Sequence, residues 1–188
     1  MKHLPCLIFL LLGSLPLACL AQATTSNGAA GPAWYGGIRG GVISTDNAYN
    51  KDGQTWVATI GRSFGANYVF ELELATDSMD FGINYGLKHR SIAVNHLTIN
   101  HEPLWNPYFL IGAGVIEFEA PAGVALGGGR DFMFNLGIGG QWELLVPGRA
   151  YLRADLRLRY DLNDTRQPGQ SGFGDGILSV GVTLPFGR

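Results

Sequence analysis

Hydrophobic and polar residues alternate along most of the chain, in segments of about ten residues. Alternation with period two places successive side chains on opposite faces, which is the pattern of a β-strand with two chemically different sides. Beyond residue 23, no segment sustains the 3.6-residue period of an amphipathic helix. Eight strands are therefore predicted, at residues 34–44, 54–64, 68–76, 87–99, 107–119, 131–143, 150–160 and 176–186.

The connections between the predicted strands alternate in length. Three links are short: Gly65-Ala66-Asn67, NHEPLWN at 100–106 and LLVPGRA at 144–150. The other four, at 45–53, 77–86, 120–130 and 161–175, are longer and rich in glycine and acidic residues. Such residues are typical of turns and loops. An up-and-down barrel has short turns at one end and long loops at the other, and an even number of strands places both termini at the short-turn end.

The two faces of the predicted strands differ in chemistry. One face is apolar and aromatic, and the other carries small and charged residues. On the fifth strand, Tyr108, Leu110 and Ile116 are predicted to lie on the apolar face and Ala113 on the other. An eight-stranded barrel has an interior only just wide enough for side chains, so the small and charged face fits inside. The sequence therefore predicts an all-β fold, an eight-stranded antiparallel transmembrane barrel whose apolar face contacts lipid.

The segment YLRADLRLRY, residues 151–160, places three arginines and an aspartate on its polar face. An arginine facing lipid at mid-membrane costs about 2–4 kcal/mol, so these charges are predicted to be enclosed, where each needs a partner. We predict an ionic network that fills the interior, formed by Arg39, Glu71, Glu73, Glu117, Arg153, Asp155, Arg157 and Arg159. For Glu117 and Arg159, hydration at the mouth of the barrel is the alternative.

The first residues have the layout of a secretory signal peptide. Lys2 precedes a long apolar stretch, and Ala21-Gln22-Ala23 matches an A-x-A cleavage site. We predict a signal peptide at 1–23 and a barrel domain at 24–188. Cys6 and Cys19 both lie in the leader, and Pro16 fits poorly with lipidation of Cys19. The remainder carries 12 basic and 15 acidic side chains, which gives no electrostatic basis for binding nucleic acid.

Several segments, in this order and spacing, resemble one family: AWYGGIRGGVIS, GRSFGANYVFELELA, RSIAVNHLTIN with NPYFLIGAGVIEF, FNLGIGGQWEL with YLRADLRLRY, and ILSVGVTLPF. Together they resemble the OmpA-type eight-stranded outer-membrane β-barrel family. The resemblance implies a monomer in the outer membrane of a Gram-negative bacterium, in contact with lipid and lipopolysaccharide. It also implies recognition of the last strand by the barrel-assembly machinery and a structural or surface-binding role through the long loops. Because the chain stops with the barrel, we expect it to lack the peptidoglycan-binding domain of longer relatives.

Two other functions remain open. A narrow pore for ions or small solutes is the first. The second is a lipid A deacylase-like hydrolase, for which His89, Ser91 and Glu102 are the candidate groups. His89 and Ser91 share a face, but it is predicted to be the interior one, and Glu102 lies in the turn beyond the strand. His89 and His96 fall on opposite faces and cannot share a metal ion. The sequence therefore predicts no enzyme, metal site or cofactor.

Overall fold

The computed structural model describes residues 34–45, 52–81, 85–103, 105–119, 129–144, 149–162 and 172–186, which form a closed antiparallel β-barrel. Each strand pairs with the next, and the last pairs with the first, so the predicted fold class is confirmed. The predicted signal peptide lies outside the described residues. The strands are β1 (Trp34–Thr45), β2 (Gly53–Phe64), β3 (Tyr68–Phe81), β4 (Tyr85–Ile99), β5 (Asn106–Glu119), β6 (Gly129–Glu143), β7 (Tyr151–Asp161) and β8 (Phe173–Phe186).

Most strand boundaries agree with the predicted ones to within two residues, but β3 and β8 are longer than predicted. The predicted loop at 77–86 is wrong, because only residues 82–84 separate β3 from β4. The polar sequence that follows Thr76 suggested a loop. In a barrel with a polar interior, however, polar residues continue a strand: Asp77 and Met79 both point inward and are buried. No helix in the described ranges is long and apolar enough to cross a membrane.

The register of the strands sets their tilt. The row of paired residues that begins at Trp34 passes through every strand and returns to β1 at Ser44, ten residues further along the chain. With strands spaced about 4.8 Å apart and a rise of about 3.3 Å per residue, this stagger corresponds to a tilt of about 40° from the barrel axis. Transmembrane barrels have tilts in this range.

An apolar belt surrounds the barrel on its outer wall. Alternate residues of every strand are exposed there, and nearly all of them are aliphatic or aromatic over the middle of the strands. Aromatic side chains concentrate near its two edges. The lower edge, at the end that carries the termini, has Trp34, Tyr68, Trp105, Trp142 and Phe186; the upper edge has Trp56, Phe132 and Tyr160.

The height of this belt matches the hydrocarbon layer of a membrane. Trp142 and Phe132 lie at its two edges on β6, ten residues apart. At about 3.3 Å per residue and a tilt of about 40°, the belt is about 25 Å tall along the barrel axis. Outer-membrane barrels carry an apolar band of this height between two aromatic girdles.

The predicted facing of β5 is wrong. Tyr108, Leu110 and Ile116 are buried inside the barrel, and Ala113 is exposed on the outer wall. Both faces of this strand are apolar, so alternation could not distinguish them. Packing decides instead, because an ideal Cβ placed on Gly112 would lie only 2.0 Å from the Asn95 side-chain oxygen of the neighbouring strand. The glycines of β5 face inward because β4 occupies the space beside them.

Replacing Gly114 with valine is expected to lower the free energy of unfolding by about 1–3 kcal/mol. A Cβ at this position would lie 2.1 Å from the carbonyl oxygen of Ile92 and 2.7 Å from the Cα of Ala93, which are backbone atoms that cannot turn away. The matched control is Ala113→Val, which adds bulk to the exposed wall and is expected to change stability by less than about 0.5 kcal/mol. Urea unfolding in detergent measures the free energy of unfolding of both variants. A larger loss for Ala113→Val than for Gly114→Val would mean that the odd-numbered residues of β5 face inward, as the sequence predicted.

Candidate functional site

The barrel interior holds a central network of six charged side chains. They come from three strands, β1, β3 and β7, and all are buried. Each lies on the inward parity of a strand whose outward parity is aliphatic or aromatic, which is why folding encloses them. The members of this central network are Arg39, Glu71, Glu73, Arg153, Asp155 and Arg157.

The central network connects strands that are not neighbours in the sheet. Arg153 Nη1 lies 2.5 Å from Glu71 Oε2, and Arg157 Nη1 contacts Glu73, so two ion pairs cross the interior from β7 to β3. Arg157 Nη2 also donates to Asp155 Oδ2 at 3.1 Å within β7. These contacts brace opposite walls of the barrel, in addition to the hydrogen bonds between neighbouring strands.

Arg39 closes the central network from β1. Its Nη2 atom donates to Glu73 at 3.1 Å, and its Nε atom lies 2.7 Å from a carboxylate oxygen of Asp155. Three arginines thus face three carboxylates, and the charges balance. Balance matters here because an unpaired ion in such a site costs several kcal/mol.

Neutral side chains satisfy the remaining oxygens of the central network. The Tyr35 hydroxyl donates to Glu71 at 2.5 Å, and the Tyr108 hydroxyl donates to Asp155 while it accepts from Arg153 Nε at 2.7 Å. Asn95 Nδ2 donates to Glu73 at 3.2 Å. Sequence reasoning missed the role of Tyr108, because the facing predicted for β5 turned its hydroxyl toward lipid.

Arg159 belongs to a separate group, here called the upper triad, with Asp77 and Asp175. Its Nη2 atom lies 2.7 Å from a carboxylate oxygen of each aspartate. Both aspartates were missed because they were assigned to loops. The signal was present nonetheless: Asp77 continues the inward parity of Glu71 and Glu73, and Asp175 has the inward parity of β8.

Glu117 does not join the interior charges, and its predicted placement is wrong. Its side chain is 51% exposed on the outer wall, and its carboxylate lies 3.6 Å from Arg130 Nε. It is paired in the sheet with Arg90 on one side and Arg130 on the other, and these three residues form an outer charge row above the apolar belt. The reason is the facing of β5, which turns all its odd-numbered residues outward.

Apolar side chains pack around the charges and help to fill the interior. At the end that carries the termini, one cluster comprises Tyr35, Val69, Leu97, Ile99, Tyr108 and Leu110. Toward the other end, Ala93, Ile116, Phe118 and Met133 form a second cluster, and Ile43, Met79 and Ile177 form a third. The interior is a packed core with a charged middle, as expected for eight strands.

The candidate catalytic groups are not brought together on the outer wall. His89 and Ser91 are buried in the interior, where the His89 ring packs edge-on against Phe118 at 4.4 Å. Glu102 lies in the turn between β4 and β5, at the other end of the barrel. His96 is on the outer wall, stacked on Tyr68. Among the described residues, no three His, Cys, Asp or Glu side chains could hold one metal ion.

Comparison with solved structures identifies the architecture. Neisserial surface protein A (NspA) superposes with a TM-score of 0.71 at 14% identity, over 82% of this chain and 97% of that one. The chain has the fold of an eight-stranded outer-membrane β-barrel. OprG from Pseudomonas aeruginosa gives a TM-score of 0.54 at 11% identity, over 84% and 98% of the two chains. The outer membrane enzyme PagL gives 0.53 at 15% identity, over 79% and 99%.

Identities this low establish the outer-membrane barrel fold alone. No protein-family model matches the sequence, and no curated protein matches it. Because an enzyme shares the fold, the fold by itself does not identify the function.

Proposed function

We propose that this protein is a monomeric barrel of the bacterial outer membrane, with a structural or surface-binding role and no catalytic activity. The observation that carries the proposal is the reversed polarity of the fold. The exposed wall is apolar over about 25 Å, whereas ten buried side chains in the described part of the chain carry charge inside the barrel, from Arg39 and the acidic residues of β3 to the arginines of β7. A protein dissolved in water would have the opposite arrangement.

The barrel is oriented with its termini toward the periplasm. The chain enters β1 and leaves β8 at the same end as the turn at Gly65–Asn67, and short periplasmic turns are typical of outer-membrane barrels. The opposite ends of the strands, at Thr45, Glu119 and Asp161, then face the exterior, and this is the end at which an extracellular ligand would reach the protein. The barrel-assembly machinery recognises β8, whose outward residues from Leu178 to Phe186 are apolar and exposed.

A pore is disfavoured by the packing of the interior. Two ion pairs cross from β7 to β3, and apolar clusters lie on either side of them. A water-filled path would have to separate these charges or displace the clusters. A deacylase is disfavoured as well, because Ser91 and His89 are enclosed rather than exposed to a lipid substrate.

Cell fractionation tests the proposal, combined with electrophoresis of boiled and unboiled samples. We expect the protein in the outer-membrane fraction, with a band that changes mobility on boiling because the closed barrel resists detergent until heated. A soluble periplasmic protein without a mobility change would contradict the membrane assignment. In a planar bilayer the same preparation is expected to be silent, and discrete conductance steps would contradict the filled interior.

A further inference from the structure

The outer wall carries a groove between β1 and β4, with a volume of about 400 Å³. Apolar side chains make up most of its lining, and Arg90 lies at its upper end. Its outward-facing residues are Ile38, Trp56, Ala58, Leu74, Thr76 and Arg90. The groove is part of the apolar belt, so on the proposed function it is open to lipid and not to water.

A small side chain opens this groove between larger neighbours. Ala58 is paired with Ile38 on one side and Leu74 on the other, so a methyl group sits between two large aliphatic side chains. Trp56 lies over the neighbouring strand: an ideal Cβ on Gly40 would be 3.1 Å from its ring. The ring therefore forms one wall of the groove without covering its floor.

The upper end of the groove coincides with the edge of the apolar belt. On β4 the outward residues change from Val94 and Ile92 to Arg90 and Lys88. The same change occurs in the paired row on β5 and β6, at Glu117 and Arg130. Arg90 thus lies where the headgroups of the outer leaflet begin, if the barrel has the proposed orientation.

Cations lie at this end of the groove. Lys88 and Arg90 are exposed on the same face of β4, and Arg90 is the one that lines the groove. Arg90 Nη2 lies 3.5 Å from Glu119, but the Arg90 side chain is 69% exposed. A guanidinium has five N–H donors, and exposed ion pairs of this kind are weak, so Arg90 retains donors for a phosphate.

We propose that the groove binds one acyl chain of lipid A, the phosphorylated lipid of the outer leaflet, and that Arg90 binds its phosphate. The acyl chain lies over Ala58 between Ile38 and Leu74, and the headgroup lies at Arg90, at the upper end of the groove. This assignment depends on the proposed outer-membrane location and orientation, and it goes further by naming a lipid and a site. It predicts a defined stoichiometry of one lipid at this wall.

Native mass spectrometry of the purified barrel, titrated with diphosphoryl lipid A in mild detergent, tests this site. We expect one lipid to bind, and Arg90→Gln to weaken its affinity about tenfold or more by removing the charged donor. Ala58→Phe fills the groove with an apolar ring and is expected to weaken binding similarly without removing any charge. Arg130→Gln, in the same charge row but away from the groove, is the control and is expected to change affinity less than about twofold.

The outcomes separate this proposal from the membrane assignment. Each variant is first checked for the mobility change on boiling, which shows that the barrel has closed. Wild-type affinity in both Arg90→Gln and Ala58→Phe would overturn the site while leaving the outer-membrane barrel intact. Equal losses in Arg130→Gln and Arg90→Gln would mean general charge attraction and would also overturn it. Equal affinity for phosphatidylglycerol would overturn the assignment to lipid A.

Discussion

Replacing Arg157 with methionine is expected to lower the free energy of unfolding by about 3–5 kcal/mol, because it leaves Glu73 and Asp155 short of a cation in a buried site. Methionine keeps most of the aliphatic volume, so the loss reports charge rather than a cavity. Equilibrium urea unfolding of the barrel in phospholipid vesicles provides the measurement.

The matched control is Arg130→Met. Arg130 also pairs with a carboxylate, that of Glu117, but its side chain is 74% exposed. Exposed ion pairs contribute about 0–1 kcal/mol, so this substitution is expected to have little effect. Equal losses in the two variants would mean that the interior charges are hydrated and that the central network does not stabilise the barrel.

A second variant separates charge balance from any local disturbance at residue 157. Combining Arg157→Met with Glu73→Gln leaves two arginines and two carboxylates in the central network. We expect the double variant to lose at least about 1 kcal/mol less than the sum of the two single losses, because residues in direct contact couple by about 0.5–3 kcal/mol. Strict additivity would show that the two side chains act independently.

All six charged residues of the central network were predicted from the sequence to lie inside the barrel. On β3 and β7, strict alternation of charged and aliphatic residues leaves only two arrangements, and the narrow interior of eight strands decides between them. Glu71, Glu73 and the arginines of β7 could therefore be placed inside from the sequence. Their individual partners could not, because the partner depends on how the register brings β3 opposite β7.

The predicted facing is wrong on β5, where the alternation of polar and apolar residues carries no information. On β5 both faces are apolar, and only the contact between Gly112 and the Asn95 side chain settles which one points inward. That single reversal accounts for the errors at both Glu117 and Tyr108. On β3 and β8 the error had a different origin, since Asp77 and Asp175 resemble loop residues by composition but are strand residues by parity.

Replacing Leu156 with arginine tests what lies outside the barrel, and we expect it to lower the free energy of unfolding by about 2–4 kcal/mol in lipid vesicles. Leu156 is 53% exposed in the middle of β7, between Asp155 and Arg157, which both face inward. It therefore makes few contacts whose loss would itself destabilise the fold. The expected cost comes from burying a guanidinium in hydrocarbon near the centre of the membrane.

Leu152→Arg, on the same strand, supplies the depth control. Leu152 is paired with Trp142 in the aromatic girdle at the lower edge, where an arginine can reach water and the expected cost is about 0–1 kcal/mol. A small effect at both positions would mean that the outer wall contacts water, and an equally large effect at both would mean that the girdle does not mark the membrane surface. Both substitutions replace a leucine of β7 with arginine, and the two sites differ in their distance from the headgroups. A cost that depends on depth is therefore expected only if the leucines of YLRADLRLRY face lipid.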